Sequence, residues 1–234
     1  MNKFIDIISK IDGFLTVNEG KLLYDLAKKV DNGVIVEIGS WKGKSTSCLA
    51  LGSKAGAGVK VYAIDPHTGS PEHQEAFNGN VWTFDIFKEN IKSAGVNDVV
   101  EPILQFAHEA SKTFNQKISL IFIDGAHEYE DVRKDFEDWF SKVEDGGIIA
   151  LHDTVNWDGP RKVVENFMYK SEYFSDIRFV DSITYGRKVK KNSRYDRVRN
   201  VCILSVRNLS EYVRALVIPR FIKRIGKKVI TFIQ

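Results

Sequence analysis

The sequence predicts an α/β fold, a doubly wound and mostly parallel sheet with helices on both faces. Short β-branched runs alternate with helical patterns, with five such runs between Val34 and Leu151, the signature of strands joined by crossover helices. Several of these runs end on a glycine or an acid, where a parallel sheet presents its ligand edge. With 43% apolar and 12% aromatic residues among 234, the chain can build a sizeable core, which excludes wholesale disorder.

The elements follow in order. Phe4, Ile5, Ile8 and Ile11 make one helical stripe at the N-terminus. Thr16 and Glu19 form an S/T-x-x-E capping box that starts a second helix, whose apolar face is Leu22, Leu23, Leu26, Ala27 and Val30. After Asp31-Asn32-Gly33, the run Val34 to Ile38 reads as a buried strand stopped by Gly39. Similar runs lie at Val59–Ile64, Val99–Leu104, Ile118–Ile123 and Ile148–Leu151. Helical patterns separate them, at Lys44–Ser53, Val81–Ala94, Glu109–Phe114 and Tyr129–Val143. A helix at Lys162–Tyr169 precedes two more expected strands, Phe179–Val180 and Val201–Val206, with a basic stretch, Arg187–Asn200, between them. The last 29 residues read as helix broken near Pro219. The expected organisation is one domain over residues 1–206, with N-terminal helices in 1–30, and a basic amphipathic helical tail over 207–234.

Two cysteines, Cys48 and Cys202, exclude a disulfide framework, and no C-x-x-C pair exists for zinc or thiol redox chemistry. Both are expected as buried thiols. The start, MNKFIDIISKIDGF, is too short and too interrupted by charge for a secretory signal, and no window of 18 apolar residues exists to span a membrane. The expectation is a soluble, cytoplasmic protein. Its net charge of +3 hides an asymmetry: Gly186–Gln234 carries +12 and residues 1–185 carry −9. The segment Leu209–Gln234 interleaves apolar and basic residues. Such a stretch fits an anionic membrane surface, making the protein membrane-peripheral, and equally fits a second subunit in a homodimer or the chain's own body. A nucleic-acid partner is not expected, because the body is acidic and the bases lie in one terminal segment.

The strand ends carry the chemistry. The first runs Glu37-Ile38-Gly39-Ser40-Trp41-Lys42-Gly43-Lys44-Ser45-Thr46. This is neither G-x-G-x-x-G nor a P-loop, which needs one more residue between its glycines. Its spacing lets backbone approach a ligand at a helix N-terminus, or simply makes a strand-to-helix turn. The second ends in Asp65, placed to accept both hydroxyls of a ribose or to sit exposed in a loop. Asp124 and Asp153 end the fourth and fifth strands. Two carboxylates on adjacent strand tips can converge on a hard cation such as Mg²⁺, or can cap a helix and open a turn.

VEIGSWKGKST, YAIDPH, IFIDGAHEYEDVRKDFEDW and EDGGIIALHDT, in that order and spacing, resemble class I S-adenosylmethionine-dependent methyltransferases. The branch they look most like is the small bacterial O-methyltransferases with macrocin-type and cephalosporin hydroxylase-like relatives. The resemblance runs well over residues 12–155 and loosely to 206. It implies a Rossmann-like seven-stranded, mostly parallel sheet with an antiparallel last strand. It implies that Glu37, Gly39, Ser40 and Gly43 hold the methionine end of the cofactor, and that Asp65 binds its ribose. Where relatives carry a G-D-S-like segment after the third strand, this chain has Gln105-Phe106-Ala107, and Phe106 remains to pack on the adenine. Asp124 matches a residue that contacts both cofactor and metal, and Asp153 the second metal-binding acid. The next residue, often Asn or Asp in relatives, is Thr154 here, leaving His152 or a water to complete the shell. His127 falls near the relatives' general base, a role that suits an imidazole titrating near neutrality.

The mechanism this implies has a substrate hydroxyl over strands four and five, lowered in pKa by Mg²⁺ on Asp124 and Asp153 and deprotonated by His127. The acceptor is expected to be a small hydroxylated molecule, a sugar or natural-product type. Its walls are expected in Thr68–Gly79, Val155–Pro160 and Arg187–Asn200, with Trp82, Trp157 and Tyr185 as candidate stacking rings. A nicotinamide dehydrogenase shares Asp65 but lacks its glycine fingerprint in this chain. A non-catalytic cofactor-binding or membrane-docked partner protein, and a hydroxylase on the same fold, are the remaining alternatives.

Overall fold

The computed structural model describes residues 2–70, 74–75 and 78–215. Two helices open the chain, α1 (Asn2–Ile8) and α2 (Val17–Ala27). Then strands and helices alternate: β1 (Val34–Ile38), α3 (Lys44–Ala55), β2 (Val61–Ile64), α4 (Phe84–Ser93), β3 (Val100–Ile103), α5 (Ala107–Thr113), β4 (Ile118–Ile123), α6 (Tyr129–Phe140) and β5 (Val143–Leu151). Helix α7 (Asp158–Val163) runs on into a π-helical turn, Val164–Tyr169. The hairpin β6 (Phe174–Val180) and β7 (Ile183–Lys188) leads to α8 (Arg194–Ala215).

The seven strands lie in the order β3-β2-β1-β4-β5-β7-β6. The first five are parallel, while β7 runs antiparallel to both β5 and β6. Strand order reverses between β1 and β4, the switch point at which doubly wound sheets bind ligands. Register places the strand ends in one row: Ile38 pairs with Ile64 and Ile123, and Ile123 with Leu151. The residues that follow, Gly39, Asp65, Asp124 and His152, therefore emerge side by side.

Alternation along each strand feeds two cores. Val36, Ile38, Ile121, Ile123, Ile149 and Leu151 pack with Val132, Phe136 and Trp139 of α6. Ile35, Leu120, Phe122 and Ala150 pack on the other face with Leu23, Leu49, Phe87 and Ile91 from α2, α3 and α4. Pro102 sits in β3, at the sheet edge, where its missing N–H costs no ladder bond.

Two expectations from the sequence are corrected. Val201–Val206 is not a strand but part of α8. Asn200, Ile203 and Arg207 are buried while Val201 is exposed, which is helical spacing; a short β-branched run cannot distinguish the two by itself. The last strand of the sheet is instead Ile183–Lys188, joined to β6 by the Asp181-Ser182 turn, with Asp181 at φ +49°. Cys202 is exposed rather than buried. The boundary expected at 206/207 falls inside α8, which runs through it unbroken. The break near Pro219 and the remainder of the tail lie outside the described residues. Among the described residues, no helix is long and apolar enough to cross a membrane.

Candidate active site

The aligned strand ends form the floor of a cavity of about 710 Å³. The β1–α3 loop, Asp65 and the start of α5 line one end of it. Asp124, His127, His152, Asp153 and Trp157 line the other, and the α1–α2 connection, Asp12 to Leu15, covers its flank. Lys42 pairs with Asp12 at 2.6 Å and Lys44 donates to the Gly13 carbonyl at 3.0 Å, pinning that connection to α3.

The first end is a backbone cradle. Gly39 has φ +83°, and a β-carbon there would stand 2.1 Å from the carbonyl oxygen of Asp124. Only glycine allows β1 to turn this close to β4. The Trp41 and His67 amides donate to the two Asp65 oxygens at 2.8 and 2.6 Å. Trp41 and His67 both have positive φ, at +47° and +58°, so Asp65 ties together two turned loops. Each of its oxygens retains a further acceptor lone pair. Ser40 is buried on the wall, and among the described residues its hydroxyl has no hydrogen-bond partner. Phe106, 53% exposed, stands on the rim at the N-terminus of α5. An orphaned hydroxyl, a cradle that a β-carbon would fill and a strand-end acid fit an adenosyl cofactor carrying a polar amino-acid end.

Two residues expected to touch the cofactor stand behind this wall. Glu37 is fully buried and accepts the Thr46 hydroxyl, bracing the loop against α3. Burial pushes its carboxyl up to about 8, against the hydrogen bonds of Ser45 and Thr46. Gly43, at φ +86°, is the N-cap of α3, where a β-carbon would press on Phe87.

The second end is an acid–imidazole cluster. His152 Nδ1 lies 2.9 Å from Asp124 Oδ1 and 3.4 Å from Asp153 Oδ2. His127 Nε2 lies 3.2 Å from Asp153 Oδ2, and its ring stacks on Trp157 with centroids 4.2 Å apart and planes 9° apart. Asp153 has φ +55°, a strained conformation for a non-glycine residue. Burial opposes charge on His152, but Asp124, Asp153 and Glu19 outweigh it and raise its pKa well above the ordinary value. Asp153 is half-buried, which opposes its charge, yet His127 and His152 hold its carboxyl below the usual range. Donor atoms of Asp124, His152 and Asp153 lie within 4.8 Å of one another. Two carboxylates and an imidazole suit a divalent cation, so this cluster fits the metal that the sequence resemblance implies.

Of the expected site residues, the fold brings Gly39, Ser40, Asp65, Phe106, Asp124, His127 and Asp153 to one cavity and leaves Glu37 and Gly43 behind it. Thr154 contributes no ligand: its hydroxyl is buried against the Ser182 carbonyl at 2.9 Å and the Thr184 hydroxyl at 2.8 Å. Among the expected walls, Gly69, Ser70, Asn156 and Trp157 are present, whereas Arg187–Asn200, Trp82 and Tyr185 do not line the cavity. The cause is strand direction: Arg187 pairs with Ile148, so antiparallel β7 carries the basic stretch to the opposite edge of the sheet. The residue that sequence reasoning missed is Glu19. Its capping role was legible, but its contact with His152 spans 133 positions and leaves no local signal.

A family model described as a methyltransferase domain matches residues 36–154. Among curated proteins, an uncharacterized protein of Acanthamoeba polyphaga mimivirus is 30% identical over 126 residues, 53% of this chain. The chain spans 52% of that relative's length, and 13% of that of an uncharacterized protein of Sinorhizobium fredii. Among solved structures, the O-methyltransferase NovP superposes with a TM-score of 0.62 at 14% identity, over 73% of this chain and 79% of that one. An O-methyltransferase from Bacillus cereus, solved in complex with SAH, gives 0.57 at 20% identity over 80% and 91%. At these identities the structures speak for the fold. The match to the family model covers the cradle, Asp65, the acid–imidazole cluster, the end of β1 and the other four parallel strands, and on it the chain belongs to the methyltransferase-domain family.

Proposed function

We propose that the protein transfers a methyl group from S-adenosylmethionine to a hydroxyl of a small molecule, of sugar or natural-product type. The observation that carries this reading is one cavity joining the Gly39–Asp65 cradle to the Asp124–His152–Asp153–His127 cluster. When bound, the cofactor supplies a methyl already activated on a sulfonium, and a divalent cation at Asp124, Asp153 and His152 supplies Lewis acidity.

The chain's own residues do the rest. The backbone at Gly39 and the Ser40 hydroxyl receive the amino-acid end, Asp65 accepts from the ribose hydroxyls, and Phe106 covers the adenine edge. Glu37 and Gly43 act from behind by fixing the loop. Trp157 stacking and the Asp153 carboxylate hold the His127 ring over the cluster. His127 takes the acceptor's proton on its imidazole, and the Asp153 carboxylate, 3.2 Å from Nε2, accepts from that nitrogen and stabilises the imidazolium. The Gly39–Asp65 cradle holds the cofactor, which would supply its methyl group to the acceptor oxygen and leave as the thioether. The cavity walls hold both partners in line and exclude water.

Calorimetry with S-adenosylmethionine beside NADH, then labelled-methyl transfer to a panel of hydroxylated acceptors, tests the reading. Asp124→Asn, Asp153→Asn and His127→Ala are each expected to lower turnover by about 100-fold or more while cofactor binding persists. Preference for NADH returns the chain to the dehydrogenase class, and undiminished turnover in EDTA removes the cation.

A further inference from the structure

Glu19 has no place in the chemistry described so far, yet it reaches the floor of the site from outside the sheet. It is the third residue of α2 and closes the capping box: its Oε2 accepts the Thr16 amide at 2.8 Å, and Thr16 Oγ1 accepts the Glu19 amide at 3.2 Å. A capping glutamate is ordinarily a solvent-facing group. This one is 1% exposed. Its Oε1 accepts both the backbone amide of Ser182 at 2.8 Å and the Ser182 hydroxyl at 2.7 Å. The same oxygen lies 3.5 Å from His152 Nε2, a buried ring nitrogen with no hydrogen bond of ordinary length among the described residues.

The opposite edge of that ring, Nδ1, faces Asp124 and Asp153. An imidazole anchored at one nitrogen can still swing about its ring axis; a carboxylate at each edge removes that freedom. Ser182 extends the brace, since its carbonyl accepts both the amide of Thr154 at 3.0 Å and the Thr154 hydroxyl. The strained His152-Asp153-Thr154 turn is thus gripped from the helical layer and from the β6–β7 turn together.

We propose that Glu19 is a positioning residue of the active site, holding the Nε2 edge of His152 so that Nδ1 is presented to the point where Asp124 and Asp153 converge. The arrangement is that of a ligating histidine whose outer nitrogen is held by a carboxylate, and loss of such partners lowers metal affinity 10–100-fold. The inference rests on the cation assigned to this cluster above, so its test separates the two.

The probes are Mn²⁺ alone, followed by water-proton relaxation; S-adenosylhomocysteine, followed by calorimetry; and the ring-nitrogen NMR spectrum, with the His152 signal assigned by loss in His152→Gln. The variants are Glu19→Gln, which keeps the shape, Glu19→Asp, which keeps the charge one methylene short, and Thr16→Ala, which removes the hydroxyl side of the cap but leaves Glu19 in place. Both Glu19 variants are expected to abolish the solvent-protected Nε2–H signal of His152 and to weaken Mn²⁺ at least about tenfold. Binding of S-adenosylhomocysteine should stay within about twofold, because Glu19 touches none of the cradle. Thr16→Ala, which also removes a bond to Asp181 in the β6–β7 turn, is expected to change all three far less than the Glu19 variants do. An unaltered His152 signal in Glu19→Gln overturns the proposal, as does an equal change in Thr16→Ala. Failure of both Glu19 variants to fold while Thr16→Ala folds also overturns it, assigning Glu19 to the scaffold. Absence of Mn²⁺ binding in the native chain removes the cation and leaves the ring spectrum to decide the role of Glu19.

Discussion

At Gly39 the constraint is atomic. A β-carbon 2.1 Å from the Asp124 carbonyl meets backbone, which cannot rotate away, and φ +83° already disfavours any other residue. Gly39→Ala is expected to abolish detectable S-adenosylmethionine binding by calorimetry and to lower the melting temperature, because the cradle and the Asp124 peptide share that space. Glu37 offers a pH test at the same scale. Its carboxyl is raised to about 8 in the fold from an ordinary value near 4.5. The folded state therefore holds a proton that the unfolded chain releases, and this contribution to stability is full below pH 4.5 and declines as pH rises to about 8. Glu37→Gln lacks this term. The melting temperature of Glu37→Gln relative to the native chain should climb between pH 5 and 8, and parallel pH profiles count against the assignment. Asp65, Asp124 and Asp153 were legible because each ends a β-branched run, where backbone direction alone fixes the side chain's address. The burial of Glu19 and Glu37 was not legible, since burial and facing partners have no local code.

Helices α2 and α3 show what the elements require of each other. Gly52 of α3 lies against α2 so closely that a β-carbon would stand 2.3 Å from the Tyr24 carbonyl. Gly52→Ala must push the two apart and is expected to cost about 1–3 kcal/mol in denaturant melts. That displacement would also move Glu19, so the variant should lose some of the His152 ring protection as well. The capping box of α2 was fully readable, as was each parallel strand, because capping chemistry and buried apolar runs are local properties. The β6–β7 hairpin was not. Its turn, Asp181-Ser182, lacks the Asn-Gly or Asp-Gly pair that advertises a two-residue hairpin. Thr16, the N-cap of α2, and Asn18 within it stabilise the turn from a distance, each donating to the Asp181 carboxylate at 2.9 Å.

For the whole molecule, α8 closes the second half of the sheet. Arg207 is fully buried, its guanidinium 3.5 Å from Glu165 and over the ring of Tyr169 at 5.7 Å. Truncation after Val206, the boundary the sequence suggested, should therefore lower the melting temperature of the body, since it removes the buried Arg207 side chain from Glu165 and Tyr169. The charge contrast between body and C-terminal region was plain from composition, but the place where the basic stretch sits was not. Hydrophobic periodicity alone determined the parallel sheet, its crossover helices and the row of strand-end residues, because each is set by which side chains leave water within a single element. Only tertiary structure decided the partners in that row: the closing of His152 between three carboxylates, the retreat of Glu37 behind the wall, and the turning of the basic stretch to the far edge. Those follow from strand direction and from buried charges seeking partners, which distance along the chain does not encode.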